Sequence, residues 1–168
     1  MLATWLLTFG CGILASQFHH QVGIAPVLAA ILCAALFLRS RDLWLVGLGG
    51  MLLRDVLLGF SPFTLVRLAA ISVVILAIQR LQIRPTLRSL LTGLLVSSPL
   101  FHGVLAVGNW ANNACGVWPK TAQGLWSSIA TSWPYFQQSL VGDVLFTSFF
   151  LSVYSLATYG LAHRRSLA

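Results

Sequence analysis

The chain has 168 residues, of which 58% are hydrophobic and only 8% are charged, with a mean hydropathy of +0.87. Soluble domains carry charge on roughly a quarter of their residues, so this composition excludes an ordinary soluble globular domain. The net charge of +7 does not indicate nucleic acid, because the basic residues gather in short connections between apolar runs, as in membrane proteins.

At about 20 residues per span, the length supplies at most about six helices. The expected fold is all-α: one integral membrane bundle of six transmembrane helices, a single domain over residues 1–168 with the lipid bilayer as its solvent. Helix one occupies about Leu2 to Gln17. It lacks the positive flank of a secretory signal and reads as a retained span. The polar Gln17-Phe18-His19-His20-Gln21 follows, then helix two from about Ile24 to Leu38.

Arg39-Ser40-Arg41-Asp42 closes helix two, and helix three runs from Leu43 to Gly59. Phe60-Ser61-Pro62 forms a turn whose proline suits a helix start, so helix four, Phe63 to Ile78, folds back as an antiparallel hairpin. A basic connection, Gln79 to Arg88, leads to helix five at about Ser89 to Val107. A long Trp-rich loop, Asn109 to Gln138, precedes helix six at Ser139 to about Leu161. Inside that loop, Leu125, Trp126, Ile129 and Trp133 fall near helical spacing, which suggests a short interfacial helix.

With six helices, residues 39–42, residues 80–88 and the C-terminal tail share one side and carry seven Arg. The positive-inside rule makes that side cytoplasmic, with both termini inside and the Trp-rich loop outside. The expected location is a bacterial cytoplasmic (inner) membrane.

Charges within apolar spans are costly and normally face a bundle interior with a partner or a function. Asp55 and Arg67 lie about five residues either side of the turn, so the hairpin brings them to similar depth, roughly 7 Å below the outer boundary. Two readings stand for this pair: a brace between helices three and four, or part of a pocket. Arg54, about 100° around the helix from Asp55, either faces inward or snorkels outward. Asp143, about four residues into helix six, reads either as a dipole partner of that helix's N-terminus or as a partner of Arg54 or Lys120. His102 reads as a satisfied interior polar group, and Asn109, Asn112 and Asn113 add hydrogen-bonding capacity at the same mouth.

His19 and His20 are adjacent, without the spacing or carboxylates of a metal site, and the three cysteines have no paired spacing. Ala25, Ala29, Ala30, Ala34, Gly47, Gly49 and Gly50 offer small-residue faces for close helix contact, within the bundle or toward another subunit. No phosphate loop, nucleophile elbow or catalytic carboxylate pair is present, so neither an enzyme nor a bound cofactor is expected.

The segments Trp118-Pro119-Lys120-Thr121-Ala122-Gln123-Gly124-Leu125, Pro134-Tyr135-Phe136 and Ser139 to Thr147 resemble the C-terminal signature of a family of uncharacterised bacterial six-helix membrane proteins. Arg54-Asp55-Val56-Leu57-Leu58-Gly59-Phe60 resembles the acidic end of that family's third helix. These proteins resemble the substrate-capture (S) subunits of energy-coupling-factor (ECF) transporters. The resemblance implies an S-component-like fold that takes a small solute, such as a vitamin, from the outer side and docks on a transmembrane coupling subunit with ATPases. Asp55, Arg67, Asn109, Asn112, Lys120 and Asp143 are the expected pocket residues. A structural or assembly subunit of a larger membrane complex is the alternative.

Overall fold

The computed structural model describes residues 2–17, 27–84, 86–113 and 116–166, and only the backbone at 2–4, 7, 11, 15, 16, 87 and 153–166. The side-chain expectations for Cys11, His19, His20, Ala25, Cys115 and the His163-Arg164-Arg165 tail lie outside these residues.

The described residues contain helices and no strands. In chain order they are α1 (Leu2–Gln17), α2 (Val27–Phe37), α3 (Ser40–Trp44), a π-helical turn (Leu45–Gly49), α4 (Gly50–Leu58), α5 (Phe63–Leu81), α6 (Leu87–Asn112) and α7 (Ala122–Ser166). The elements over 40–58 follow one another without a break, so the described residues form six helical rods. Local chemistry sets their ends. Gly59 stops α4 at φ +94°, a conformation that glycine adopts without a Cβ clash. Gln82 and Asn113 end α5 and α6 in the left-handed region. Thr86 caps α6 by accepting from the Ser89 N–H at 3.3 Å, and Thr121 accepts from the Gly124 N–H at 3.2 Å at the start of α7.

Side-chain registers give the directions. Gly12 faces Leu53 and Gly49 faces Thr8, so α1 runs parallel to the rod over 40–58. Gly47 meets Ile71 and Ile75 while Asp55 meets Arg67, so that rod is antiparallel to α5. Gly108 meets Val66, and Ser128 and Phe136 on α7 meet Ala106 and His102 on α6, which makes α5/α6 and α6/α7 antiparallel as well. The alternating order expected for the hairpin of helices three and four is therefore present and extends to α7.

At the centre, α2 touches α1, α3, the π turn, α5, α6 and α7, and every residue from Val27 to Ala34 is buried. Ala29, Ala30 and Ala34 serve internal packing, as do Gly47 and Gly49. Gly47 is the point where this matters most. A Cβ there would approach Ile31, Ile71 and Ile75 at 2.8–3.0 Å, so its absence lets three rods converge at the π turn.

The long loop is the main departure from the sequence reading. Only about residues 113–121 separate α6 from α7, and helix six begins at Ala122 rather than Ser139. The Ser- and Thr-rich stretch reads as loop because its hydroxyls compete for backbone bonds. Here they satisfy themselves within a helix: Ser127, Thr131 and Ser132 each donate to the carbonyl four residues back, at 2.7–2.9 Å.

On α7 the burial pattern is inverted relative to a soluble protein. Trp126, Trp133, Val141, Leu145 and Phe149 on α7 are exposed, while Ser128, Ser139, Asp143 and Thr147 on the same helix are buried. Trp5, Phe9, Leu65 and Leu95 continue the apolar exterior around the other rods. Two helices, Phe63–Leu81 and Arg88–Asn112, are long and apolar enough to cross a membrane.

Candidate functional site

One end of the molecule carries Arg39, Arg41, Arg80, Arg84 and Arg88, and is tied across by Gln79, whose amide donates to the Ser40 hydroxyl at 2.8 Å. The other end carries the Ser61-Pro62 turn and the 113–121 connection. Beneath that turn end lies the charged cluster.

Asp55 is 1% exposed and holds two guanidinium groups. Arg54 Nη1 donates to Oδ1 at 2.7 Å; Arg67 Nη2 donates to Oδ2 at 3.0 Å, with Arg67 Nε at 3.3 Å. Arg67 Nη2 also reaches the hydroxyls of Ser61 at 3.0 Å and Thr64 at 3.3 Å. The expected Asp55–Arg67 pair is present, and Arg54 faces inward to join it rather than snorkelling. One carboxylate between two guanidinium groups leaves the cluster with a formal charge of +1.

Both arginines line a cavity of about 260 Å³ among α4, α5, α6 and α7, together with Met51, Phe101, His102, Leu105, Asn109, Ser132, Tyr135 and Ser139. A second cavity of about 200 Å³ shares His102 and Ser132 with it and is walled by Pro99, Ile129, Trp133 and Phe136. The larger chamber carries the cations and most of the hydrogen-bonding groups, and the second holds the rings of Trp133 and Phe136. His102 packs edge-on against Phe101 and Phe136, with ring centroids 5.4 and 5.8 Å away. Its Nε2 is buried without a hydrogen-bond partner among the described residues. The reading of His102 as a satisfied interior group is therefore corrected: its Nε2 is enclosed and, among these residues, unpaired.

Of the expected pocket residues, Arg67 and Asn109 line the cavity, and Asp55 sits behind the two arginines. Asn112 is exposed at the end of α6 and is not among the lining residues. Lys120 turns instead to the C-terminus of α6, where it donates to the carbonyls of Trp110 and Ala111 and lies 5.5 Å from the Trp110 ring centroid. A cation at a helix C-terminus complements the orphan carbonyls there.

Asp143 is neither near the start of its helix nor paired with Arg54 or Lys120. Because α7 begins at Ala122, Asp143 lies deep within it, 1% exposed, one turn beyond Ser139 and away from the cavity. Ser98, one turn from His102 on α6, faces it closely enough to interact, although neither residue completes a hydrogen bond of ordinary geometry.

The sequence reading missed Ser132, Tyr135 and Ser139 as lining residues, and their spacing was the available signal. Ser128, Ser132 and Ser139 recur at helical intervals on one face of a stretch otherwise rich in large apolar residues.

A family model matches residues 1–165, nearly the whole chain. The chain belongs to the DUF6580 family, a family of unknown function. No curated protein and no solved structure matches this family member. Among the described residues, no group of three or more His, Cys, Asp or Glu is placed to hold a metal ion.

Proposed function

We propose that this chain is a six-span membrane subunit that binds a small anionic or zwitterionic solute and has no catalytic role of its own. The membrane reading is supported by the apolar exterior: large apolar side chains exposed around the rods are stable facing lipid and unstable facing water. The arginine-rich end then faces the cytoplasm of a bacterial cell, with both termini on that side, and the turn end faces outward.

The observation that carries the solute reading is the chamber itself. A cavity of about 260 Å³ lined by Arg54, Arg67, His102 and Asn109 offers charge and directed hydrogen bonds, near the lower limit of small-molecule sites. The aromatic rings of the adjoining space suit a flat ring in the ligand. By resemblance to ECF capture subunits, uptake would follow reorientation on a transmembrane coupling subunit driven by ATPases.

A second reading is favoured by the completeness of the Asp55 cluster, which two arginines satisfy without any ligand. On that reading the charges only brace α4 against α5 in an assembly subunit. Native mass spectrometry of the protein purified in mild detergent separates the two. Retention of a small molecule by the native chain, and its loss in Asn109→Leu with the fold intact, supports solute binding. A native chain that is consistently empty and copurifies with other membrane proteins supports the brace.

A further inference from the structure

Between α6 and α7, about one helical turn from the chamber, four buried oxygen atoms have no hydrogen-bond partner among the described residues: Asp143 Oδ1 and Oδ2, Ser98 Oγ and Thr147 Oγ1. Asp143 is 1%, Ser98 0% and Thr147 4% exposed. Buried polar atoms in native proteins are almost always satisfied, and a cluster that is not calls for a missing partner such as water or an ion.

The hydroxyls make the point sharper. Ser72, Thr92, Ser127, Thr131, Ser132 and Ser152 all donate to the carbonyl four residues back in their own helices. That bond is the ordinary way for a helical hydroxyl to satisfy itself in apolar surroundings. Ser98 and Thr147 are helical too, yet neither makes it, so both oxygens remain available to a shared partner. Thr147 and Asp143 lie four residues apart and share one face of α7, and Ser98 approaches from α6.

The chemistry of the donors selects the partner. Carboxylate and hydroxyl oxygens are hard ligands that suit alkali and alkaline-earth ions rather than zinc or copper. A single carboxylate balances one positive charge, which favours a monovalent ion. Pro99, next to Ser98, has no N–H and so cannot bond to the Leu95 carbonyl, leaving a further oxygen in the same turn without its usual donor. Intramembrane cation sites are built from such interrupted helices and buried carboxylates.

We propose that Asp143, Ser98 and Thr147 form a sodium-binding site between α6 and α7. This site is separate from the chamber, and it stands or falls independently of the solute reading.

The test is thermal unfolding of the purified chain in detergent, followed by tryptophan fluorescence, with NaCl exchanged for choline chloride at constant ionic strength. An ion that binds only the folded state raises the melting temperature in a saturable way. The native protein is expected to respond to Na⁺, and Asp143→Asn is expected to be flat. Ser98→Ala and Thr147→Val, which keep the carboxylate, should each raise the half-saturating Na⁺ concentration about tenfold. A native chain indifferent to Na⁺ overturns the proposal, as does an equal response in Asp143→Asn. Should Asp143→Asn fail to fold, unchanged half-saturation in Ser98→Ala and Thr147→Val overturns it.

Discussion

Arg67 reaches back across the Ser61-Pro62 turn to place its guanidinium 3.0 Å from Asp55, twelve residues earlier in the chain. The contact joins α4 to α5 at a point where Asp55 is almost wholly buried. Removing one member of a buried ionic group leaves the other charges uncompensated, which costs about 3–5 kcal/mol. Asp55→Ala, which strands two arginines, is expected to destabilise more than Arg67→Ala, which leaves Arg54 in place. The unfolding midpoints of both variants and of the double variant check this, and additive losses would show that the pair is not coupled.

Gly108 sets the spacing of α5 and α6. A Cβ at this position would overlap the side chain of Val66, whose stiff, β-branched shape gives it little room to yield. Gly108→Ala is expected to destabilise by about 1–2 kcal/mol, the overpacking penalty outweighing the gain in helix propensity. Val66→Ala in the same chain should restore most of the loss, as read from melting curves of the three variants.

Orientation can be read chemically in intact cells. In a background with Cys11, Cys33 and Cys115 replaced by serine, Pro62→Cys should react with a membrane-impermeant maleimide and Arg84→Cys should not. Both positions are exposed, at opposite ends of the molecule. The reverse labelling pattern would invert the orientation inferred from the arginines.

Lys120 and Asn112 were expected at the pocket but lie outside it. Lys120→Ala and Asn112→Ala should therefore leave solute retention unchanged in native mass spectra, in contrast to Asn109→Leu. Equal loss in all three would extend the binding surface to the end of α6.

Much of the architecture was legible because it rests on local signals. The Phe60-Ser61-Pro62 turn fixed a hairpin, and counting residues from it placed Asp55 and Arg67 at one depth. The helical spacing of Leu125, Trp126, Ile129 and Trp133 was legible, but its continuity with the last span was not, because Ser and Thr between residues 122 and 138 score as loop on polarity while their hydroxyls are satisfied inside a helix. A helix start at Ser139 would give Asp143 a dipole role, for which it lies too deep in α7. Lys120 misled in another way: charge marks a residue as costly to bury, but does not say whether its partner is a ligand or the end of a neighbouring helix. The lining serines of α7 carry no charge to mark them, and only their helical interval distinguishes them in the sequence.

The interface of α6 and α7 is lined by Ser98, Ser128, Ser139 and Thr147 where most helix pairs would interlock bulky side chains. Between these helices the described residues show one side-chain bond to backbone, from Ser128 to the Ala106 carbonyl. Small residues there let the two helix backbones approach closely, which is the usual basis of helix association in lipid. This wall of the chamber is therefore held by backbone proximity, and bulk added at Ser98 or Ser128, both fully enclosed, would push the two helices apart.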